Sequence, residues 1–142
     1  MISFFVPGKP VAQQRPRAFR RGERVGVYQP KVCAEYKNLV KMVATEAQDS
    51  WPIISGPVYI SMTFYMQRPN SVSKKRRPYP TVKPDIDNLY KGVADALEWI
   101  LYEADQQVVR ALIDKRYADD GQKPGVAVVV TELKPQEGND EM

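Results

Sequence analysis

Apolar residues follow two different periods along this chain, and each period predicts one kind of element. Residues 58–66 alternate strictly, so that five apolar side chains share one face, as a half-buried strand requires: Val58, Ile60, Met62, Phe64 and Met66. In residues 31–48 the apolar side chains recur three or four positions apart: Val32, Tyr36, Leu39, Val40, Val43 and Ala47. The two segments are therefore predicted to be a strand and an amphipathic helix.

The other segments complete an alternation of strands, loops and helices. Further strands are predicted for residues 2–6, 108–117 and 126–133, with a small hairpin of 17–20 and 24–28 around Gly22. Asp87 is the predicted N-cap of a second helix that runs to about Leu101. This order predicts an α+β fold in which two main helices pack on a small mixed β-sheet.

Length and composition set the broad class of the protein. The 142 residues, 43% of them hydrophobic, predict a single domain over residues 1–133 with a polar C-terminal tail at 134–142. No apolar run approaches the roughly 20 residues of a membrane span, and the short apolar N-terminus lacks the basic leader of a signal peptide. With Cys33 as its one cysteine, the chain is expected to be cytoplasmic and to have no membrane partner.

The absence of histidine narrows the possible chemistry. It excludes Ser-His-Asp triads, Cys-His dyads and His-ligated zinc sites. With a single cysteine as well, a catalytic metal would have to be held by oxygen ligands, which favours Mg²⁺ or Mn²⁺.

Positive charge is concentrated in two loop regions of a chain whose net charge is +4. The first cluster is Lys9, Arg15, Arg17, Arg20, Arg21, Arg24 and Lys31, and the second is Arg68, Lys74, Lys75, Arg76, Arg77 and Lys83. Such clusters are typical of surfaces that bind phosphates. The alternative for the Lys-Lys-Arg-Arg run is an ordinary solvated loop.

Two carboxylates one residue apart, Asp85 and Asp87, follow the second basic cluster. In an extended backbone both would point the same way and could converge on one cation. Lys91 and Asp95 follow Asp87 by four and eight residues, along one stripe of the predicted helix. Metal-bound water and a nearby lysine are what phosphodiester hydrolysis needs. The pattern favours a nuclease, although an Asp-x-Asp pair before a helix also serves as an ordinary cap.

Residues 83–97 resemble the signature of the RusA family of Holliday junction resolvases. The matching residues are Lys83, Pro84, Asp85, Asp87, Asn88, Lys91, Asp95, Ala96 and Leu97, and Gln14-Arg15-Pro16-Arg17 resembles the basic element after that family's first strand. The resemblance extends from Met1 to about Leu133. It implies a homodimer that cleaves four-way DNA junctions by paired symmetric nicks in recombination and repair, with Mg²⁺ or its substitute Mn²⁺. Such a protein would be bacterial or phage-encoded.

The resemblance also implies roles for individual residues. Asp85, Asp87 and Asp105 would be the metal carboxylates and Lys91 the catalytic lysine, while Asn88 and Asp95 would support them. Where the family commonly has Asp-Asp-x-Gln, this chain has Ala104 before Asp105, so Glu103 is the alternative third carboxylate. DNA contacts are expected from Arg15, Arg17, Arg20, Arg21, Lys74, Lys75, Arg76, Arg77 and Lys115.

Two other functions stay open at this point. One is a nuclease for other branched DNA, such as forks or flaps. The other is a DNA-binding protein without catalysis, in which the carboxylates cap a helix.

Overall fold

The strictly alternating segment forms an interior strand of a four-stranded sheet, and its apolar face packs in the core. The computed structural model describes residues 1–14, 17–28 and 30–134. In chain order its elements are β1 (Ile2–Pro7), β2 (Arg17–Arg21), β3 (Arg24–Tyr28), α1 (Lys31–Gln48), β4 (Val58–Met66), α2 (Ile86–Leu97), β5 (Val108–Tyr117) and β6 (Gly125–Glu132). Residues 105–107 form one turn of 3-10 helix. Arg15 and residues 135–142, most of the predicted tail, lie outside the described residues.

The main sheet is mixed, with the strand order β1-β6-β4-β5. Strand β4 is parallel to β5 and antiparallel to β6, and β1 is antiparallel to β6. Consecutive strands β5 and β6 are therefore not neighbours, because β4 lies between them. Strands β2 and β3 form a separate hairpin. The predicted α+β fold, with two helices on a small mixed sheet, is confirmed.

One face of the sheet carries the hydrophobic core. Side chains at even positions of β4 are buried and those at odd positions are half-buried. The buried apolar residues of both helices join the same cluster, including Val40 and Ala44 of α1 and Leu89, Val93 and Leu97 of α2. Burial of each valine or leucine in this set contributes about 1.5–3 kcal/mol, so this core holds α2 firmly against the sheet.

Helix α2 differs at both ends from the prediction. Its N-cap is Asp85, not Asp87: Asp85 is extended (φ −74°, ψ 150°), and its carbonyl already accepts the Leu89 N–H at 3.1 Å. The helix ends at Leu97, not near Leu101, because Glu98 is extended and Trp99 has φ 65°. The turn formed there carries the chain back into the core.

Leu101 and Tyr102 are the residues that this turn buries. The Tyr102 hydroxyl donates a hydrogen bond to the Ala94 carbonyl at 3.2 Å. None of the helices in the described ranges is long and apolar enough to cross a membrane.

Candidate active site

Helix α2 presents a polar stripe beside its buried face. Asp87 and Lys91 are exposed and Asp95 is half-buried. At 1.5 Å per residue, Asp87 and Asp95 are about 12 Å apart along the helix axis, with Lys91 midway. Because Asp87 is inside the helix, the extended-backbone argument for the convergence of Asp85 and Asp87 on one cation is wrong. Their assignment as metal ligands stays a prediction.

Three carboxylates meet at the C-terminal end of α2. Asp95, Glu98 and Asp105 each offer an oxygen atom, and these atoms lie within 4.8 Å of one another. Asp95 comes from the last turn of the helix, Glu98 is the residue that follows the helix, and Asp105 comes from the 3-10 turn before β5. Asp105 thus lies beside the C-terminal half of α2. In the part of the chain that the structure describes, Asp85 and Asp87 belong to no such three-carboxylate group.

The pKa of Glu98 and that of the neighbouring Tyr90 are both raised at this carboxylate group. A hydrogen bond with Asp105 raises the pKa of the Glu98 carboxyl, since protonated Glu98 can share its proton with the neighbouring carboxylate. Burial, and then the charges of Asp105 and Asp95, raise the pKa of the Tyr90 hydroxyl. The local field is therefore negative, which favours a cation at this end of the helix.

Gln107 fixes the turn that carries Asp105. Its side-chain oxygen accepts hydrogen bonds from the backbone N–H groups of Glu103 (2.8 Å) and Ala104 (2.7 Å). Its side-chain NH₂ group donates to the carbonyls of Ile54 (2.8 Å) and Gly56 (3.0 Å). One amide thus joins the turn to the segment before β4. These four bonds give a physical reason for a glutamine at position 107, two residues after Asp105.

A cleft of about 440 Å³ opens beside the carboxylate group. Its lining includes Lys91, Asp95 and Asp105, three of the residues singled out from the sequence. Gln13, Tyr90 and Arg110 also line it, and none of these three was predicted. The cleft is therefore bounded by α2, by the start of β5 and by the segment after β1.

The segment after β1 reaches the cleft because it packs tightly on α2. The Gln13 N–H donates to the Asn88 carbonyl at 3.0 Å. A Cβ atom on Gly92 would lie 2.8 Å from the Val11 carbonyl oxygen, so the absence of a side chain at Gly92 permits this approach. Asn88, predicted to play a supporting role, thus contributes its backbone to the site.

Asp85 lies at the opposite end of α2 from Asp105. Its carboxylate is exposed and makes no capping hydrogen bond. The chain that leads into it is held by Lys115 on β5, whose ammonium group donates to the carbonyls of Val82 (2.7 Å) and Pro84 (2.8 Å). The peptide bond between Lys83 and Pro84 is cis.

Glu98 was not among the site residues predicted from the sequence. The available signal was its spacing: Glu98 follows Asp95 by three residues, and in the helix predicted to run to about Leu101 both would share one side of a turn. Glu103, the alternative third carboxylate, is exposed and is not a member of the group. Asp105, the preferred alternative, is a member; its role as a metal ligand stays a prediction.

The basic loop, residues 67–84, is organised around Arg68. The Arg68 guanidinium donates to both Asp119 oxygens, at 2.9 and 2.8 Å, and to the carbonyls of Ser73, Arg77 and Pro78. It also lies 4.0 Å from the centre of the Tyr117 ring. Arg68 belongs to the second basic cluster, but its contacts stabilise the loop.

The other cations of the basic loop differ in exposure. Lys74, Lys75 and Arg76 are exposed, and Lys74 forms an ion pair with Asp120. Arg77 is half-buried and donates to the Tyr117 hydroxyl at 3.4 Å. The first three are thus available to a large anion.

Several cations of the first basic cluster lie on the separate hairpin. Arg17, Arg20 and Arg21 belong to β2. Arg20 and Arg21 are exposed, and Arg20 donates to the Gly22 carbonyl at 3.1 Å. The two basic regions and the acid-lined cleft are features of an enzyme that acts on a nucleic acid.

Comparison with known proteins identifies that enzyme class. The chain belongs to the RusA family: the family model described as endodeoxyribonuclease RusA matches residues 7–131. The chain is also 37% identical over 141 residues to a Bacillus subtilis (strain 168) protein described as uncharacterized protein YqaN. That alignment covers 93% of this chain and 96% of the relative. The family name indicates an endodeoxyribonuclease, as the sequence predicted.

Proposed function

We propose that the protein is a Mg²⁺-dependent endonuclease that resolves Holliday junctions by paired symmetric nicks in DNA recombination and repair. The observation that carries the proposal is the cleft in which Lys91, Asp95 and Asp105 meet, on a chain of the RusA family. Lys91 supplies positive charge for the phosphate whose bond breaks. Asp105 supplies a carboxylate within the same cleft.

The ligand chemistry of the chain fits a hard divalent cation. The family signature assigns Asp85, Asp87 and Asp105 as its ligands. Asp95 and Glu98 lie close enough to Asp105 to share a cation with it at the C-terminal end of α2, whereas Asp85 and Asp87 would bind at the other end of the helix. All these donors are carboxylates, which Mg²⁺ and Mn²⁺ prefer. When bound, the ion would lower the pKa of a water molecule and stabilise negative charge on the phosphate.

DNA binding is assigned to the exposed cations of the basic loop and of the hairpin. Lys74, Lys75 and Arg76 lie on a loop whose shape Arg68 fixes, and Arg20 and Arg21 lie on the hairpin. Arg15, Arg17 and Arg77 belong to the same proposal on sequence grounds. Contacts of this kind bind phosphates without reading bases, so junction affinity should fall steeply with salt.

A homodimer gives the proposed reaction its symmetry. A four-way junction has approximate two-fold symmetry, and its resolution needs nicks in two opposing strands. Two identical sites related by a two-fold axis match that requirement. We therefore propose that the active species is a dimer.

Cleavage of a labelled four-way junction tests the proposal. The protein is incubated with the junction, a matched linear duplex, a fork and a flap, each in Mg²⁺, Mn²⁺ or EDTA. We expect paired nicks near the crossover of the junction, and none in EDTA. Stronger cleavage of forks or flaps would instead assign the protein to other branched DNA. Tight junction binding without cleavage in either metal would make it a non-catalytic DNA-binding protein.

Two substitutions test the residue assignments. Asp87→Asn should abolish cleavage while keeping or strengthening junction binding, because it removes a metal ligand and a negative charge that faces phosphate. Lys91→Ala should also abolish cleavage. The matched control is Asp49→Asn, an exposed residue at the C-terminal end of α1. Normal cleavage by Asp87→Asn would show that the metal assignment is wrong.

A further inference from the structure

We propose that Lys115 is a positioning residue that sets the path of the chain into Asp85, and that it is not a DNA contact. The inference rests on the proposed function, because it takes Asp85 as a ligand of the divalent cation. It revises the role that the family resemblance gave to Lys115.

The contacts of the Lys115 ammonium group support this role. The group donates to the carbonyl oxygens of Val82 and Pro84, at 2.7 and 2.8 Å. A lysine ammonium has three N–H donors, so two of them are used within the chain. A phosphate contact would require the ammonium group to give up these bonds or to share its remaining donor.

The position of Lys115 on the sheet makes it a firm anchor. It pairs in register with Phe64 of β4, a fully buried core residue. Lys115 itself is half-buried, on the face of β5 that also carries Ile113 and Tyr117. Strand β5 is held in place by its pairing with β4 and by the packing of this face on the core. The backbone that carries the ammonium group is therefore firmly held.

The anchored segment leads directly to the proposed ligand. Pro84 precedes Asp85, and Asp85 caps α2 without a side-chain bond of its own to the helix. The orientation of its carboxylate is then set by the backbone on either side. Helix α2 fixes the backbone after Asp85, and Lys115 fixes the backbone before it. Residues of this supporting kind typically change metal affinity by about 10–100-fold when they are replaced.

Metal binding and DNA binding separate the two possible roles of Lys115. We would measure Mn²⁺ binding to the full chain without DNA, from the electron paramagnetic resonance signal of free Mn²⁺. Lys115→Met should weaken Mn²⁺ binding by about 10-fold or more. Junction affinity in EDTA, and its dependence on salt, should equal those of the unsubstituted protein. Lys115→Arg, which can still donate to both carbonyls, should recover much of the metal affinity.

The controls separate positioning from general damage. Lys41→Met, an exposed lysine on α1, should change neither measurement. Adding Lys115→Met to Asp85→Asn should weaken Mn²⁺ binding no further, whereas adding it to Asp105→Asn should weaken it again. Melting temperatures of all variants show which of them are folded, and Lys115→Gln, which also removes the ammonium group, serves if Lys115→Met is not.

The outcomes that would overturn the inference differ from those that would overturn the proposed function. If Asp85→Asn binds Mn²⁺ as well as the unsubstituted protein, the metal assignment in the proposed function fails. If Asp85→Asn loses affinity but Lys115→Met does not, only the positioning role fails. A weaker junction affinity of Lys115→Met in EDTA, with a salt slope smaller by about one, would make Lys115 a DNA contact after all.

Discussion

Replacing Gln107 by methionine should both destabilise the protein and loosen Asp105. Methionine keeps the length of the side chain but removes all four hydrogen bonds of the amide, to Glu103, Ala104, Ile54 and Gly56. Each such bond contributes about 1 kcal/mol net. Gln107 is half-buried, so water can replace part of the loss, and the expected cost is about 2–4 kcal/mol. For a chain of this length that cost lowers the melting temperature by about 6–16 °C.

Two measurements check this prediction. Thermal and urea unfolding, followed by circular dichroism, give the change in stability. Mn²⁺ binding reports whether the turn still presents Asp105, and we expect weaker binding. Gln106→Met is the matched control: Gln106 is the exposed neighbour in the same turn, and its replacement should cost less than about 0.5 kcal/mol.

A specific result would refute the reasoning. If Gln107→Met and Gln106→Met melt within about 2 °C of each other, the four hydrogen bonds do not hold the turn. Gln107→Glu adds a finer check. It keeps the acceptor for the two N–H groups but places a carboxylate oxygen against two carbonyls, so it should be no more stable than Gln107→Met at neutral pH.

Three further predictions follow from single contacts. Gly92→Ala should lower the melting temperature by pressing a Cβ atom against the facing backbone, although alanine is the better helix former by about 1 kcal/mol; a higher melting temperature would contradict this packing. The hydrogen bond from Arg68 lowers the pKa of Asp119, so its stabilisation is complete above the unfolded value of about 3.9 and is lost as the pH falls through the lower folded value. The melting-temperature difference between the unsubstituted protein and Asp119→Asn should therefore be constant from pH 7 to 5 and shrink below about pH 4, and a difference that changes at neutral pH would point to another group. Asp105→Asn should abolish junction cleavage and Glu103→Gln should not; the reverse result would shift the third carboxylate to Glu103.

Local patterns were enough to predict most elements of the fold. The helix at Lys31–Gln48 and the strands at Val58–Met66 and Val108–Tyr117 have the predicted bounds. The paired hairpin around Gly22 is also confirmed. Such periods are visible because one face of each element packs on the core, and they repeat over many residues.

The ends of α2 could not be predicted in the same way. The sequence predicted Asp87 as the N-cap, whereas the backbone path before the helix makes Asp85 the cap. At the other end, residues 98–101 still follow a helical apolar pattern. Trp99 breaks the helix there because a turn buries Leu101 and Tyr102 in the core, and that gain depends on the position of the sheet.

Residue types and local patterns establish the chemical character of this protein: oxygen ligands, two basic regions, and a signature centred on Asp85 and Lys91. Which of these groups are neighbours follows from the tertiary packing. It brought Asp105 to Asp95 and Glu98 and placed Lys115 against the chain before Asp85. Residue type alone fixes what a side chain can bind. Its neighbours are fixed by how distant segments pack, and no local pattern records that packing.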